Sequence, residues 1–184
     1  VPTKQDIANS QKKIVNEQFN EMSVNPRYWH NKSADLFTSA HVLWKAMETD
    51  SSLSVSCYAT YKMLMGMSFE ALLKGLLIES QQVPISNLAT HDLVDLAKTL
   101  GLILSKEENK ALTVLTDYVL WAGKYPMPKN AKQLQQHRTM VHVTENRKIK
   151  LGSLNATESN GALDFDNLKP LWRKLSDEML VRIQ

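Results

Sequence analysis

Three polar clusters in this chain have residue types and spacing that can do chemistry. Thr90-His91-Asp92 stands where an apolar-periodic segment begins. A histidine there can reach a neighbouring element, and the free N–H groups of a helix start receive anions. Gly123-Lys124-Tyr125-Pro126 follows the end of another such segment, where a cation is electrostatically favoured and Pro126 and Pro128 stiffen the turn. Arg138 and His142 put a fixed cation and an acid/base group in one short run. If the first two clusters meet, His91, Lys124 and Tyr125 form a positively charged notch for an anion. Each cluster also has a bland reading: a structural histidine, a cation at a helix end, a solvated loop.

Charge placement agrees with the anion reading. Net charge is +3, yet residues 124–150 carry seven basic residues against the single acid Glu145, so that insertion is +6 and the remainder −3. Lys129, Lys132, Arg138, Arg147, Lys148 and Lys150, with His137 and His142 among them, can supply positive potential to a phosphate. The competing reading is a basic loop that keeps the protein soluble.

Other chemistries find less support. One cysteine and histidines at 30, 41, 91, 137 and 142 give no close-spaced ligand set, so no metal is expected. Cys57 falls inside a helical pattern and reads as a small buried hydrophobe. There is no GxSxG, and the six glycines form no phosphate loop; no cofactor is expected. A lone cysteine cannot form an internal disulfide, which favours a reducing compartment. No apolar run approaches ~18 residues and the first residues are polar. Neither a membrane span nor a secretory signal is expected, and the location expected is cytoplasmic.

The elements that must position these groups are helical. At 184 residues the chain suits one domain, 1–184. Ile7, Ile14, Val15, Phe19 and Met22 predict an amphipathic first helix, ended by Asn25-Pro26. Ser33 reads as the N-cap of a second helix with Leu36, Phe37, Ala40, Leu43, Trp44 and Met47 on its inner face. A third, Val55 to Gln81, is apolar nearly all round and predicts the central element. Along it Lys62, Gly66, Glu70 and Lys74 lie one turn apart. They read either as a solvent-facing edge with a Glu70–Lys74 ion pair, or as a track that turns Glu70 into a polar pocket. Thr90 reads as the N-cap of a fourth helix, with Asp92 in its first turn and Gly101 as its stop. Ser105 and Glu108 predict a capping box for a fifth, ended by Gly123, with Trp121 read as core. A last helix starts no earlier than about Asp166, so that Pro170 falls in its first turn. Between these, Arg138–Thr144 and Lys148–Leu151 alternate with period two and predict a small β-hairpin turning at Glu145-Asn146-Arg147, with Asn155–Gly161 as a loop.

FEALLKGLLI (69–78), THDLVDLAKTLGL (90–102) and LTDYVLWAGKYP (115–126), in that order within Phe69–Pro128, resemble the HEPN family (higher eukaryotes and prokaryotes nucleotide-binding domains). Its members show an LLKALL helix, a G/T-H-x-L helix start and a turn of the kind Y-x-x-x-A-R-Y-P. The resemblance covers about sixty residues, roughly a third of the chain. Lys124 stands where the family more often has Arg, which keeps the charge but loses the planar fork that suits phosphate. Many members are metal-independent ribonucleases acting through R-x(4–6)-H in a dimer cleft. The resemblance assigns His to acid/base work at the 2′-hydroxyl and Arg to the phosphate. That spacing is absent: Arg27 and His30 are separated by two residues, Arg138 and His142 by three. On a helix the latter pair shares one face. On a strand their Cα atoms lie ~13 Å apart, too far to grip one phosphate.

The resemblance is therefore to the branch with His-x-Leu and Arg/Lys-Tyr-Pro motifs, which implies nucleotide-binding or dimerisation modules. The expectation is an all-α, HEPN-like bundle of about six helices with a small hairpin insertion, paired as a homodimer. It binds a nucleotide or RNA without cleaving it, and involves no membrane. The alternatives are a divergent ribonuclease of toxin or defence type using Arg138 and His142, and a structural adaptor.

Overall fold

The structure, a computed structural model, describes residues 3–80 and 88–183. The predicted end of the third helix at Gln81 and the proline loop after it lie outside the described residues. Among those described, seven α-helices and one two-stranded antiparallel sheet follow the order α1 (Lys4–Val24), α2 (Pro26–Thr49), α3 (Leu53–Glu79), α4 (Leu93–Thr99), α5 (Lys106–Asp117), α6 (Ala131–Glu145), β1 (Asn146–Leu151), β2 (Leu154–Ser159) and α7 (Phe165–Arg182). No described helix is long and apolar enough to cross a membrane.

The core forms around α3, as its all-round apolarity requires. Tyr61, Met65, Phe69, Leu72 and Leu73 are fully buried, covered by α2, α4, α5 and α7. A buried polar clamp ties three of these helices. Ser33 Oγ of α2 donates to the Ser68 carbonyl of α3 at 2.7 Å, and Ser68 Oγ donates back to the Ser33 carbonyl at 2.8 Å. Trp172 Nε1 of α7 donates to both hydroxyls. Ser33 is thus an interior residue, not the predicted N-cap. Asn25 ends α1 and also caps α2, accepting from Arg27 N at 3.0 Å with Pro26 at the first helical position, which carries the second helix two turns further toward the N-terminus.

The Lys62–Gly66–Glu70–Lys74 stripe is not a solvent edge. Lys62 is 1% exposed and Lys74 7%. Glu70 does pair with Lys74, at 2.6 Å, but beneath covering elements. At Gly66 the end of α5 and the residues after it come close: a Cβ there would lie 2.6 Å from Val119 Cγ2 and 2.9 Å from the Leu115 carbonyl oxygen, so only glycine allows this approach. Lys62 pairs with Glu145, the last residue of α6. Burial pushes its ammonium below the ordinary lysine value, and the Glu145 carboxylate opposes that shift. The Tyr58 ring lies 3.9 Å from Lys62 Nζ, and the Tyr118 hydroxyl 3.4 Å.

The predicted strand Arg138–Thr144 is helical. Asn130 caps α6, its Oδ1 accepting from Gln133 N at 3.0 Å. Leu134, His137, Val141 and Thr144 then turn inward at helical spacing. The β-branched residues that alternate in sequence are overruled by this longer period. The hairpin lies one element later. β1 pairs with β2 in the register Asn146↔Ser159 to Leu151↔Leu154 around a two-residue Gly152-Ser153 turn, so the expected loop 155–161 is mostly strand. Its base is closed by Asn160, whose N–H donates to the Glu145 carbonyl and whose side chain donates to the Thr144 carbonyl.

Two boundaries also shift. Asp92, not Thr90, caps α4, accepting from Val94 N and Asp95 N; Thr90 instead accepts from Asp92 N one turn earlier. The Ser105/Glu108 capping box stands. Helix α7 starts at Phe165, so Pro170 falls in its second turn and the Asp166 carbonyl lacks its helical donor. The amphipathic α1 forms behind a Thr3/Asp6 capping box, but none of its residues is buried; Ile14, Phe19 and Met22 are exposed.

Candidate functional site

The end of α5 departs from regular geometry. After Asp117 the helix widens into a π-helical turn, Tyr118–Ala122, closed by Gly123 N–H donating to the Tyr118 carbonyl at 3.1 Å. Such turns project side chains away from the α-helical row and recur at functional sites. The Trp121 carbonyl then accepts from both Lys124 N and Tyr125 N, which folds the Lys-Tyr-Pro turn tightly back onto the helix end.

This turn and the first half of α6 enclose a groove of about 250 Å3 lined by Asp117, Leu120, Trp121, Lys129, Gln133 and Gln136. Trp121 is therefore partly exposed and faces the groove, rather than being core. Behind it His137, 9% exposed, places Nδ1 2.9 Å from Asp117 Oδ2. The His137 ring meets the Trp121 and Tyr118 rings edge-on, at 5.0 and 5.4 Å. The half-buried Asp117–His137 pair so fixes one wall of the groove and engages its only lining carboxylate. An indole face, an ammonium and two primary amides can stack on a base, pair with a phosphate and read hydrogen-bonding edges.

The expected site residues distribute as follows. Lys129 lines the groove; Lys124 and Tyr125 are exposed on the turn beside it. Lys132 and Arg138 are exposed on α6, and Lys148 and Lys150 on β1. None of these six cations makes an ion pair among the described residues, whereas Arg147 pairs across the hairpin with Glu158 at 2.8 Å. Arg138 and His142, both exposed, lie one turn apart on α6, about 6 Å along its axis; the 13 Å separation expected of a strand does not apply.

His91 is elsewhere. Its Nδ1 lies 2.9 Å from Glu70 Oε1, completing a Lys74–Glu70–His91 chain. The adjoining start of α4 is tied to α5, where Thr116 Oγ1 accepts from Leu93 N. Gly123, beside Lys124, rests against Met63, seven residues before Glu70 and so about 10 Å away along α3. Val119 and Leu115 pack on Gly66 between those two levels. The expected single notch is thus divided by packed side chains. Glu70, largely buried, faces His91 and Lys74 in a polar cluster.

The sequence does not single out Gln133, Gln136 or Asp117, and His137, expected to add positive potential, is instead held inside against Asp117. The signal available was the Asn130 cap followed by Leu134, His137 and Val141 at helical spacing, which places Lys129, Gln133 and Gln136 opposite the Trp121 turn. Among the described residues no group of three His, Cys, Asp or Glu stands close enough to hold a metal ion. Compared with family models, with curated proteins and with solved structures, the chain shows no match.

Proposed function

We propose that this protein is a HEPN-like module that binds a phosphate-bearing ligand, a nucleotide or RNA, without cleaving it. The groove between the π-helical turn and α6 holds the ligand. One observation carries the reading: Trp121, Lys129, Gln133 and Gln136 converge on one cavity, the last three of them within residues 124–150, whose charge is +6. In this reading a base stacks on Trp121 and Lys129 takes the adjoining phosphate. Lys124, Lys132, Arg138, Lys148 and Lys150 steer the polyanion by their summed potential. His91, bonded to Glu70, supports the groove's framework through α3 and α4 and does not touch the ligand. The module pairs with a second copy through α1. Its first half carries Lys4, Asp6, Lys12 and Lys13, net +2, and its second half Glu17 and Glu21, net −2, so unlike charges face each other when two copies lie antiparallel and the exposed Ile14, Phe19 and Met22 cover one another.

A second reading is favoured by the Arg138–His142 placement: two exposed groups one helical turn apart can serve a single phosphate, as ribonuclease chemistry requires. Fluorescence anisotropy of a labelled 10-nucleotide RNA, and calorimetry with ATP, at low salt tests both readings. Binding should weaken with rising salt in a log–log line, and Trp121→Leu and Lys129→Glu should each weaken it about tenfold. Sedimentation of the same samples reads the dimer. Absence of binding to every nucleotide and RNA at low salt sinks the proposal. RNA cleavage abolished by His142→Ala replaces it with the ribonuclease reading.

A further inference from the structure

We infer that the protein carries a second, independent binding site, at the start of α3, for an alkylammonium group. A pocket of about 260 Å3 opens there between Trp44, Met47 and Glu48 at the end of α2, Ser54 and Tyr58 at the start of α3, and Asp164 at the foot of α7. This is at the small end of ligand pockets, ~300 Å3 and upward, and suits a headgroup or a single side chain. Its aromatic walls are held in place: Trp44 packs on Tyr61 at 5.2 Å and Tyr58 stacks on Tyr61 at 6.0 Å. The Tyr61 hydroxyl, fully buried, donates to the Leu163 carbonyl at 2.9 Å, which fixes the backbone next to Asp164.

Of the two carboxylates that line the pocket, one has no partner among the described residues. Glu48 is engaged by Lys45 at 2.6 Å and by Trp44 Nε1 at 2.9 Å. Glu145 is engaged by Lys62. His41, the remaining ring on this face of α2, stacks on Phe165 at 4.4 Å. Asp164 occupies the N-cap position of α7, where an aspartate ordinarily turns back to accept from its own helix, yet its side chain makes no capping hydrogen bond. Burial and then the Glu145 carboxylate raise its pKa, with Asp166 and Glu48 adding to the rise and Lys62 opposing it. A half-buried, unpaired carboxylate is destabilising, and a cation seated in the pocket relieves it. The Trp44 indole beside that carboxylate attracts an organic ammonium in particular; the Tyr58 ring, engaged by Lys62 and stacked on Tyr61, only lines the pocket. The pocket is lined by two carboxylates, Glu48 and Asp164, and by no thiol or imidazole, a poor set for a hard metal ion, which takes six or more oxygens. The ammonium can belong to a free amine or to a lysine side chain of another protein; the pocket chemistry is the same.

The test is calorimetric titration of the full chain at pH 7 with n-butylammonium. n-Butanol serves as its neutral match, and N-acetyl-lysine methylamide stands for a protein side chain. Butylammonium should bind saturably and butanol should not. Asp164→Asn, which keeps a good N-cap residue, should weaken binding about tenfold, and Trp44→Leu should also weaken it. Tighter binding of the lysine derivative assigns the site to a protein partner, and tighter binding of butylammonium to a free amine. Equal binding of butanol, no saturable binding of either amine, or an unchanged affinity in a folded Asp164→Asn variant overturns the inference.

Discussion

Replacing Glu145 by Gln should cost the fold about 3–5 kcal/mol at pH 7, although the residue stands at the foot of an exposed hairpin. Its carboxylate is the counter-ion of Lys62, which is 1% exposed and otherwise has only the Tyr118 hydroxyl at 3.4 Å and the Tyr58 ring at 3.9 Å. After the substitution the ammonium has two courses. It stays charged and uncompensated, the situation that costs ~3–5 kcal/mol when a buried pair loses one member. Or it gives up its proton, which for a lysine starting from 10.5 costs about 5 kcal/mol at pH 7. The second course becomes easier by about 1.4 kcal/mol per pH unit, so at pH 9 the deficit should fall to ~2 kcal/mol. Lys62→Met should cost less, ~1–2 kcal/mol, because the Glu145 side chain it strands is 17% exposed and reaches water. Lys62→Met with Glu145→Leu should be near neutral. Urea unfolding followed by far-ultraviolet circular dichroism at pH 7 and pH 9 measures all four proteins. In thermal melts the Glu145→Gln loss corresponds to roughly 6–20 °C for a chain of this length. A deficit under ~1 kcal/mol, the range of surface pairs, or one that does not change between pH 7 and 9, refutes the reasoning.

Gly66→Ala should destabilise by ~1–3 kcal/mol, because the new methyl meets Val119 Cγ2 at 2.6 Å and an immobile backbone carbonyl at 2.9 Å. In an open helix the same change gains ~0.8–1.0 kcal/mol, so a higher melting temperature contradicts the close approach of α5 to α3. Alkaline conditions probe the tyrosines of the same region. Burial pushes Tyr118 up to about 12 and raises Tyr58 and Tyr61 as well. These phenols stay protonated in the fold while the unfolded chain ionises near 10, so the stability they contribute is intact below pH ~10 and is lost as pH climbs toward 12. Lys62, lowered by burial, acts in the opposite sense up to about 10.5, which confines the fall to the region above. A urea midpoint that is flat from pH 9 to 11.5 counts against this.

Much of the helical framework was legible in local pattern. The apolar girdle of α3, the Asn25-Pro26 break and the Ser105/Glu108 capping box depend on residues within one or two turns of each other, and each is found in the structure. The misreadings share a cause. Arg138–Thr144 alternates like a strand over seven residues, but the competing signal, an N-cap and inward residues over fifteen, was longer and won. Ser33 has the chemistry of a cap; it is used instead to satisfy Trp172 Nε1 and Ser68 inside the core. Of the candidate groove, Lys124, Tyr125 and Lys129 were legible as basic or aromatic residues in a turn. Trp121, Gln133 and Gln136 were not, because a π-helical turn rotates Trp121 off the row that a regular helix assigns it.

Taken alone, the amino-acid sequence determined most of the helices, α6 excepted, which helix must lie at the centre, and that its positive charge is concentrated in residues 124–150. Only the tertiary structure decided what the polar residues of α3 do. Period and propensity are properties of neighbours along the chain, whereas the state of a buried charge depends on what stands across from it. For Lys62 that group is a carboxylate 83 residues further on. For Asp164 it is an aromatic pocket assembled from the ends of two other helices.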